Sequence, residues 1–185
     1  MALIAFGLER YQYALEQRGF DARNVKAVVQ SKALDHLSAA HALKLLSAMS
    51  GFVDTKEFQE LAVAFKRVKN LAKELDVFEF QKQELMSPNL SMELEHPTEL
   101  ALLEQIAKRK PIIEGAVALG DNYRKALSEA SGFKPYVDKF FDDVRVKTDD
   151  ARKTSARLRL LRRLEGVILK LADISEIVPE DAKQA

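Results

Sequence analysis

Apolar residues recur at intervals of three and four along most of the chain, and no segment carries a convincing alternation of apolar and polar residues. The pattern predicts helices. A first helix over about Ala2 to Gln17 repeats Phe6, Tyr13 and Leu15 among charges and stops at Gly19, a residue suited to the left-handed position after a helix. Asp21 is placed to cap a short helix carrying Val25, Val28 and Val29. A third is expected from Asp35 to near Gly51, burying Leu37, Leu45 and Leu46. The fourth is the best defined: Asp54, with Glu57 three residues on, resembles a capping box. Phe58, Leu61, Ala62, Phe65, Val68, Ala72 and Leu75 then share one face. Lys66, Asn70 and Lys73 share a polar side of the same helix, with Arg67 farther round and Lys69 at the edge of the apolar stripe.

Between Asp76 and His96 the period weakens, and Ser87, Pro88 and Asn89 form a turn signal. This stretch is read as a connector between an N-terminal helical unit (1–86) and a C-terminal one (87–185), either hinged or packed as one bundle. Pro97 suits the first position of a helix with His96 as its cap, and Pro111 either kinks that helix or opens its second half. Asp121 is placed to cap the next helix, which ends near Gly132. Tyr136, Val137, Phe140 and Phe141 then form an aromatic cluster read as core. The last helix is expected from Asp149 to about Ser175. With no internal repeat, the fold class is all-α, a helical bundle.

Charge changes the picture at the C-terminal end. The 185-residue chain has a formal net charge of +1, whereas Arg152 to Lys170 holds seven basic residues and one acid, a local charge of 7 − 1 = +6. Projected at 100° per residue, Leu160, Leu161, Leu164, Val167, Ile168, Leu171 and Ile174 converge on one side. Arg152, Arg159, Arg162, Arg163 and Lys170 lie opposite and are read as an exposed basic face, a candidate for phosphate contact or for plain solvation. Lys66, Asn70 and Lys73 offer a second candidate patch. Arg157 projects into the apolar side, so it is expected to form a structural ion pair with Asp138, Asp142 or Asp143.

Composition narrows the chemistry. No apolar run approaches the roughly 18 to 20 residues that cross a bilayer, and no secretory leader pattern opens the chain, so the expected location is cytoplasmic. The sequence contains no cysteine and three scattered histidines; His36 and His41 do not share a helical face. Neither a metal site nor a catalytic residue is predicted. Glycine-rich phosphate loop, nucleophile elbow and HExxH patterns are all missing from the sequence.

Three stretches carry a family resemblance. Ala64-Phe65-Lys66-Arg67-Val68-Lys69-Asn70 resembles the Ala-Phe-Lys-Arg-Val-x-Asn segment of the β subunit of bacterial heterotetrameric glycyl-tRNA synthetase. Val137-Asp138, Phe140 to Val146, Asp149-Asp150, Arg157-Leu158, Leu160-Leu161 and Ala172 to Ser175 resemble the terminal region of that subunit in the same order. Phe6, Glu9-Arg10, Gly19-Phe20 and Val25 to Val28 are similar to the segment that precedes them there. The resemblance implies a C-terminal, DALR-type anticodon-binding helical unit that contacts tRNA(Gly). Its implied partners are the remainder of the β subunit and the synthetase α subunit, where the catalytic core uses ATP and Mg²⁺; no cofactor is expected on this part. Two departures stand out. Lys153-Thr154-Ser155-Ala156-Arg157 replaces Leu-Arg-x-Asn-Arg, and Val144-Arg145-Val146-Lys147 replaces Val-Met-Val-Met, exchanging two apolar residues for basic ones. The alternative from another class is a helical protein-interaction module that binds no RNA.

Overall fold

A computed structural model describes residues 2–29 and 38–178. The order of elements is α1 (Ala2–Gln17), α2 (Ala22–Val29), α3 (Ala39–Met49), α4 (Lys56–Ala72), α5 (Val77–Met86), α6 (Pro97–Leu119), α7 (Tyr123–Ser131), α8 (Lys134–Asp143) and α9 (Ala151–Ile168). Two single 3₁₀ turns, Leu90–Met92 and Ile174–Glu176, complete it, and no strand occurs among the described residues. The chain is all-α, as its periodicity predicts.

The centre of the bundle is the pairing of α4 with α9, flanked by α6, which also packs on α7 and α8. On α4, Phe58, Leu61, Phe65 and Val68 are fully buried, as the three-and-four spacing requires. Each such side chain contributes about 1.5–3 kcal/mol through its removal from water. Opposite them, Leu160, Leu161, Leu164 and Ile168 of α9 are buried to the same degree. One apolar cluster runs from Leu15 through α4 and α9 to Ile177, so the helices on either side of residue 86 share a core.

Helix ends follow local chemistry, with several differences from the sequence reading. Asp21 accepts from the Arg23 N–H at 2.8 Å at the start of α2. The expected start of the third helix at Asp35, and with it Leu37, lies outside the described residues; Ser38 caps the described helix by accepting from His41 N–H. The Asp54/Glu57 capping box does not form: the N-cap of α4 is Thr55, whose hydroxyl donates back to Phe52 O instead. Asp121 is not the cap of α7; Asn122 is, in the left-handed region with φ 59°. His96 caps α6 within a reciprocal box with Glu99, and α6 continues unbroken through Pro111.

The largest difference is α5. Residues 77–86, read as part of a connector, form a helix capped by Asp76, which accepts from the Phe78 and Glu79 N–H groups. Its apolar residues do not converge on one face and none is buried, which is why the period looked weak. The last helix also ends early, at Ile168 rather than near Ser175. Beyond it the chain turns, because Leu171, Ala172 and Ile174 are buried off the helix axis and Asp173 N–H donates to Ala27 O at 2.8 Å. Lys69 of α4 holds this turn through ion-paired Asp173 and through Ser175.

Candidate nucleic-acid interface

The basic helix α9 is capped by Asp150, which accepts from Arg152 and Lys153 N–H. Past this first turn its cations are not an open face. Arg159, expected to be exposed, is 1% exposed and is the largest fully buried side chain among the described residues. Its guanidinium donates to Glu93 at 2.7 Å, to Glu84 at 3.0 Å and to the Ser87 carbonyl at 2.5 Å. Arg163 donates to Glu84 at 2.9 Å and to Pro88 O at 3.0 Å. Arg162 donates to the Leu75 carbonyl beyond the end of α4 and to Glu165 at 2.6 Å. Lys170 pairs with Glu114. The projection located the angle of these residues correctly but could not say what lies over them. Helix α5 and the turn after it cover that side with carboxylates and carbonyls. Arg152 alone of the five stays exposed with no ion pair among the described residues.

Arg157 forms its ion pair with Glu99, 2.6 Å from Nε to Oε1, rather than with Asp138, Asp142 or Asp143. Asp138 and Asp143 are taken by lysines one turn away on α8. Glu99 is buried and also accepts from the N–H groups of Glu95 and His96, both at 2.9 Å. Burial pushes the Glu99 carboxyl up, but the Arg157 hydrogen bond and the two backbone donors outweigh it and hold the group below the ordinary carboxylate range. Arg157 Nη1 donates in addition to Arg145 O at 2.9 Å. One guanidinium therefore ties α6, α9 and the segment after α8 together.

That segment forms one wall of a groove of about 910 Å³, with α4 as the other wall. Val144 and Val146 point into the core, while Arg145 and Lys147 are exposed. Across from them stand Lys66, Arg67 and Asn70. Lys66 and Asn70 of the predicted patch thus reach the groove; Lys73, exposed, sits one turn on and donates to Asn70 Oδ1 at 3.1 Å. Four cations line the groove against two carboxylates, Asp142 and Asp143. Asp143 is paired with Lys139, and Lys147 with Glu74 at 2.7 Å. Lys66, Arg67 and Arg145 make no ion pair among the described residues. Arg67 instead lies over the Phe141 ring, 4.0 Å from its centroid.

Arg145 and Lys147 were not among the predicted contacts. The four-residue alternation Val144-Arg145-Val146-Lys147 was the available signal, since an extended segment sends successive side chains to opposite sides. Phe141 was read only as core, yet it is half-buried.

An all-helical bundle with a cationic groove between α4 and an extended segment carries the electrostatic footprint expected of nucleic-acid-binding helical domains. More narrowly, residues 61–179 match the family described as the DALR anticodon binding domain, and the chain belongs to that family. It is 40% identical over 146 residues to a glycine–tRNA ligase β subunit of Neisseria gonorrhoeae, covering 79% of this chain and 19% of that protein. It is 32% identical over 178 residues to the β subunit of Ralstonia nicotianae, covering 95% and 24%. With the β subunit of Acidobacterium capsulatum it shares 33% identity over 182 residues, covering 95% and 25%. The chain spans about a fifth to a quarter of the length of these curated relatives. No helix among the described residues is long and apolar enough to cross a membrane.

Proposed function

We propose that this chain is the tRNA-binding, anticodon-recognising C-terminal part of a glycine–tRNA ligase β subunit, holding tRNA(Gly) for aminoacylation by the α subunit. The observation that carries the reading is the groove between α4 and residues 144–147, where Lys66, Arg67 and Arg145 have no carboxylate partner among the described residues, in a chain of the anticodon-binding family. Phosphates supply most of the affinity in such contacts, and unpaired loop bases supply the specificity. Lys66, Asn70, Lys73, Arg152 and the Glu114-paired Lys170 are the predicted contacts that remain accessible, and Arg145 and Lys147 join them. Arg159, Arg162 and Arg163 act instead on the fold. ATP and Mg²⁺ are assigned to the α subunit, and the remainder of the β subunit and the α subunit are the partners of this chain. The cytoplasm is the compartment this role requires.

The test measures binding of the 185-residue chain to tRNA(Gly) and to an anticodon-swapped tRNA, each at two salt concentrations. Tighter binding of tRNA(Gly) is expected. Replacing Lys66, Arg145 and Lys147 together by Ala should weaken binding and lower the salt slope by about 2, taking about 0.7 per single-stranded phosphate contact. Equal affinity for the two tRNAs removes anticodon recognition. A second reading, a protein-interaction module, draws on the exposed Phe78, Leu85 and Met86 of α5; an unchanged slope in the triple variant favours it.

A further inference from the structure

Phe140, fully buried, meets Phe141 edge to face with ring centroids 5.3 Å apart. Phe141 in turn carries the Arg67 guanidinium 4.0 Å from its own centroid. The three groups form a stack that begins in the core and ends in solvent at the floor of the groove. Exposed Arg23, by contrast, pairs with Asp21. Arg67 makes no ion pair among the described residues and rests on the ring, so its planar group is restrained while its charge stays uncommitted. A cation over an aromatic face gains about 0.5–2 kcal/mol, enough to restrict the side chain without locking it. Arg10 over the exposed Phe6 ring is looser, at 5.7 Å.

We infer that Arg67, backed by Phe141, is a stacking shelf for one unpaired nucleobase of the anticodon loop, and so a base-positioning residue; this rests on the tRNA reading above. A guanidinium plane is a surface on which splayed RNA bases stack, and its delocalised charge adds attraction to a base already flanked by phosphates. Arg145 stands across the groove and takes the adjacent phosphate, because Arg157 holds its backbone carbonyl at 2.9 Å and Val144 and Val146 anchor it on both sides. The device separates two tasks that one lysine cannot combine. Lysine supplies charge to a phosphate, and the Arg67 plane supplies a face to a base.

The experiment compares wild type, Arg67→Lys and Phe141→Leu on the anticodon stem-loop of tRNA(Gly) and on a set of the same stem-loops, each with one loop base removed. Arg67→Lys keeps the charge and loses the plane; Phe141→Leu keeps an apolar side chain and releases the guanidinium. Both should bind the intact loop at least about fivefold more weakly, with the salt slope unchanged. For one loop position the base-free stem-loop should lose affinity with wild type and show no further loss with Arg67→Lys. Wild-type affinity of Arg67→Lys for the intact loop overturns the shelf alone, as does an equal loss on every base-free loop. Failure of the wild-type chain to bind any stem-loop overturns the tRNA reading and the shelf with it.

Discussion

Replacing Arg159 by Met separates a structural cation from an RNA-binding one. Arg159 is 1% exposed, and its guanidinium donates to two glutamates and to the Ser87 carbonyl. Methionine fills much of the same volume but leaves that carbonyl and two carboxylates without their donor. Breaking a fully buried pair from one side costs about 3–5 kcal/mol. The Glu84 and Glu93 side chains are 28% and 36% exposed, and Arg163 stays on Glu84, so water and a neighbour recover part of the loss. The expected destabilisation is therefore about 2–4 kcal/mol. With an m-value near 2 kcal/mol/M in urea, the unfolding midpoint should fall by about 1–2 M. For a chain of this size the melting temperature should drop by roughly 4–16 °C. Urea unfolding followed by circular dichroism reads the first quantity, and tRNA affinity measured well below the midpoint reads whether the folded protein still binds. A midpoint moved by less than about 0.2 M refutes the burial argument. A stable Arg159→Met protein that binds tRNA poorly refutes the assignment of this residue to the fold.

Glu99→Gln should blunt the loss of stability in acid. The folded-state pKa of Glu99 is depressed, so its contribution is present above the unfolded value of about 4.3 and disappears as pH falls through the lower folded value. Unfolding midpoints of wild type and variant at neutral pH and below pH 4.3 should converge toward the acid end, and a constant difference refutes the assignment. Gly120→Ala should destabilise by about 1–3 kcal/mol, because φ is 63° and the new Cβ would lie 2.0 Å from His41 Nε2. Adding His41→Ala should relieve the collision but not the backbone strain, which a thermal melt of the double variant resolves. Lys69→Met removes the partner of Asp173 and Ser175 and should cost about 1–2 kcal/mol with no change in tRNA affinity.

Helix positions that bury one clean stripe were legible in the sequence. The faces of α4 and the leucine side of α9 are where periodicity puts them, since both reach the core through a single face. Helix α5 escaped because it buries none of its apolar residues, so there was no stripe to find. The same omission misplaced Arg159: a helical projection fixes the direction of a side chain, and burial depends on another element 66 to 75 residues away in the chain. Arg157 was recognised as a misfit needing a carboxylate, but three aspartates close in sequence were favoured over Glu99, 58 residues distant. In the groove, Lys66 and Asn70 were readable as neighbours on a helix, whereas Arg145 and Lys147 come from an extended segment whose position depends on the Arg157 hydrogen bond.

The acidic stretch from Glu84 to Glu99 has a consequence for how the protein meets anions. Glu84 lies on Arg159 and Arg163, Glu93 on Arg159, Glu95 on Lys153 and Glu99 on Arg157. The most basic helix of the chain therefore carries its own resident counterions along much of its length. A free polyanion gains little by approaching α9, because the release of mobile salt ions that drives such binding has been forestalled by covalently attached carboxylates. Non-specific adhesion to RNA is thereby suppressed on the side with the greatest density of positive charge. What attraction remains is directed to the groove on α4.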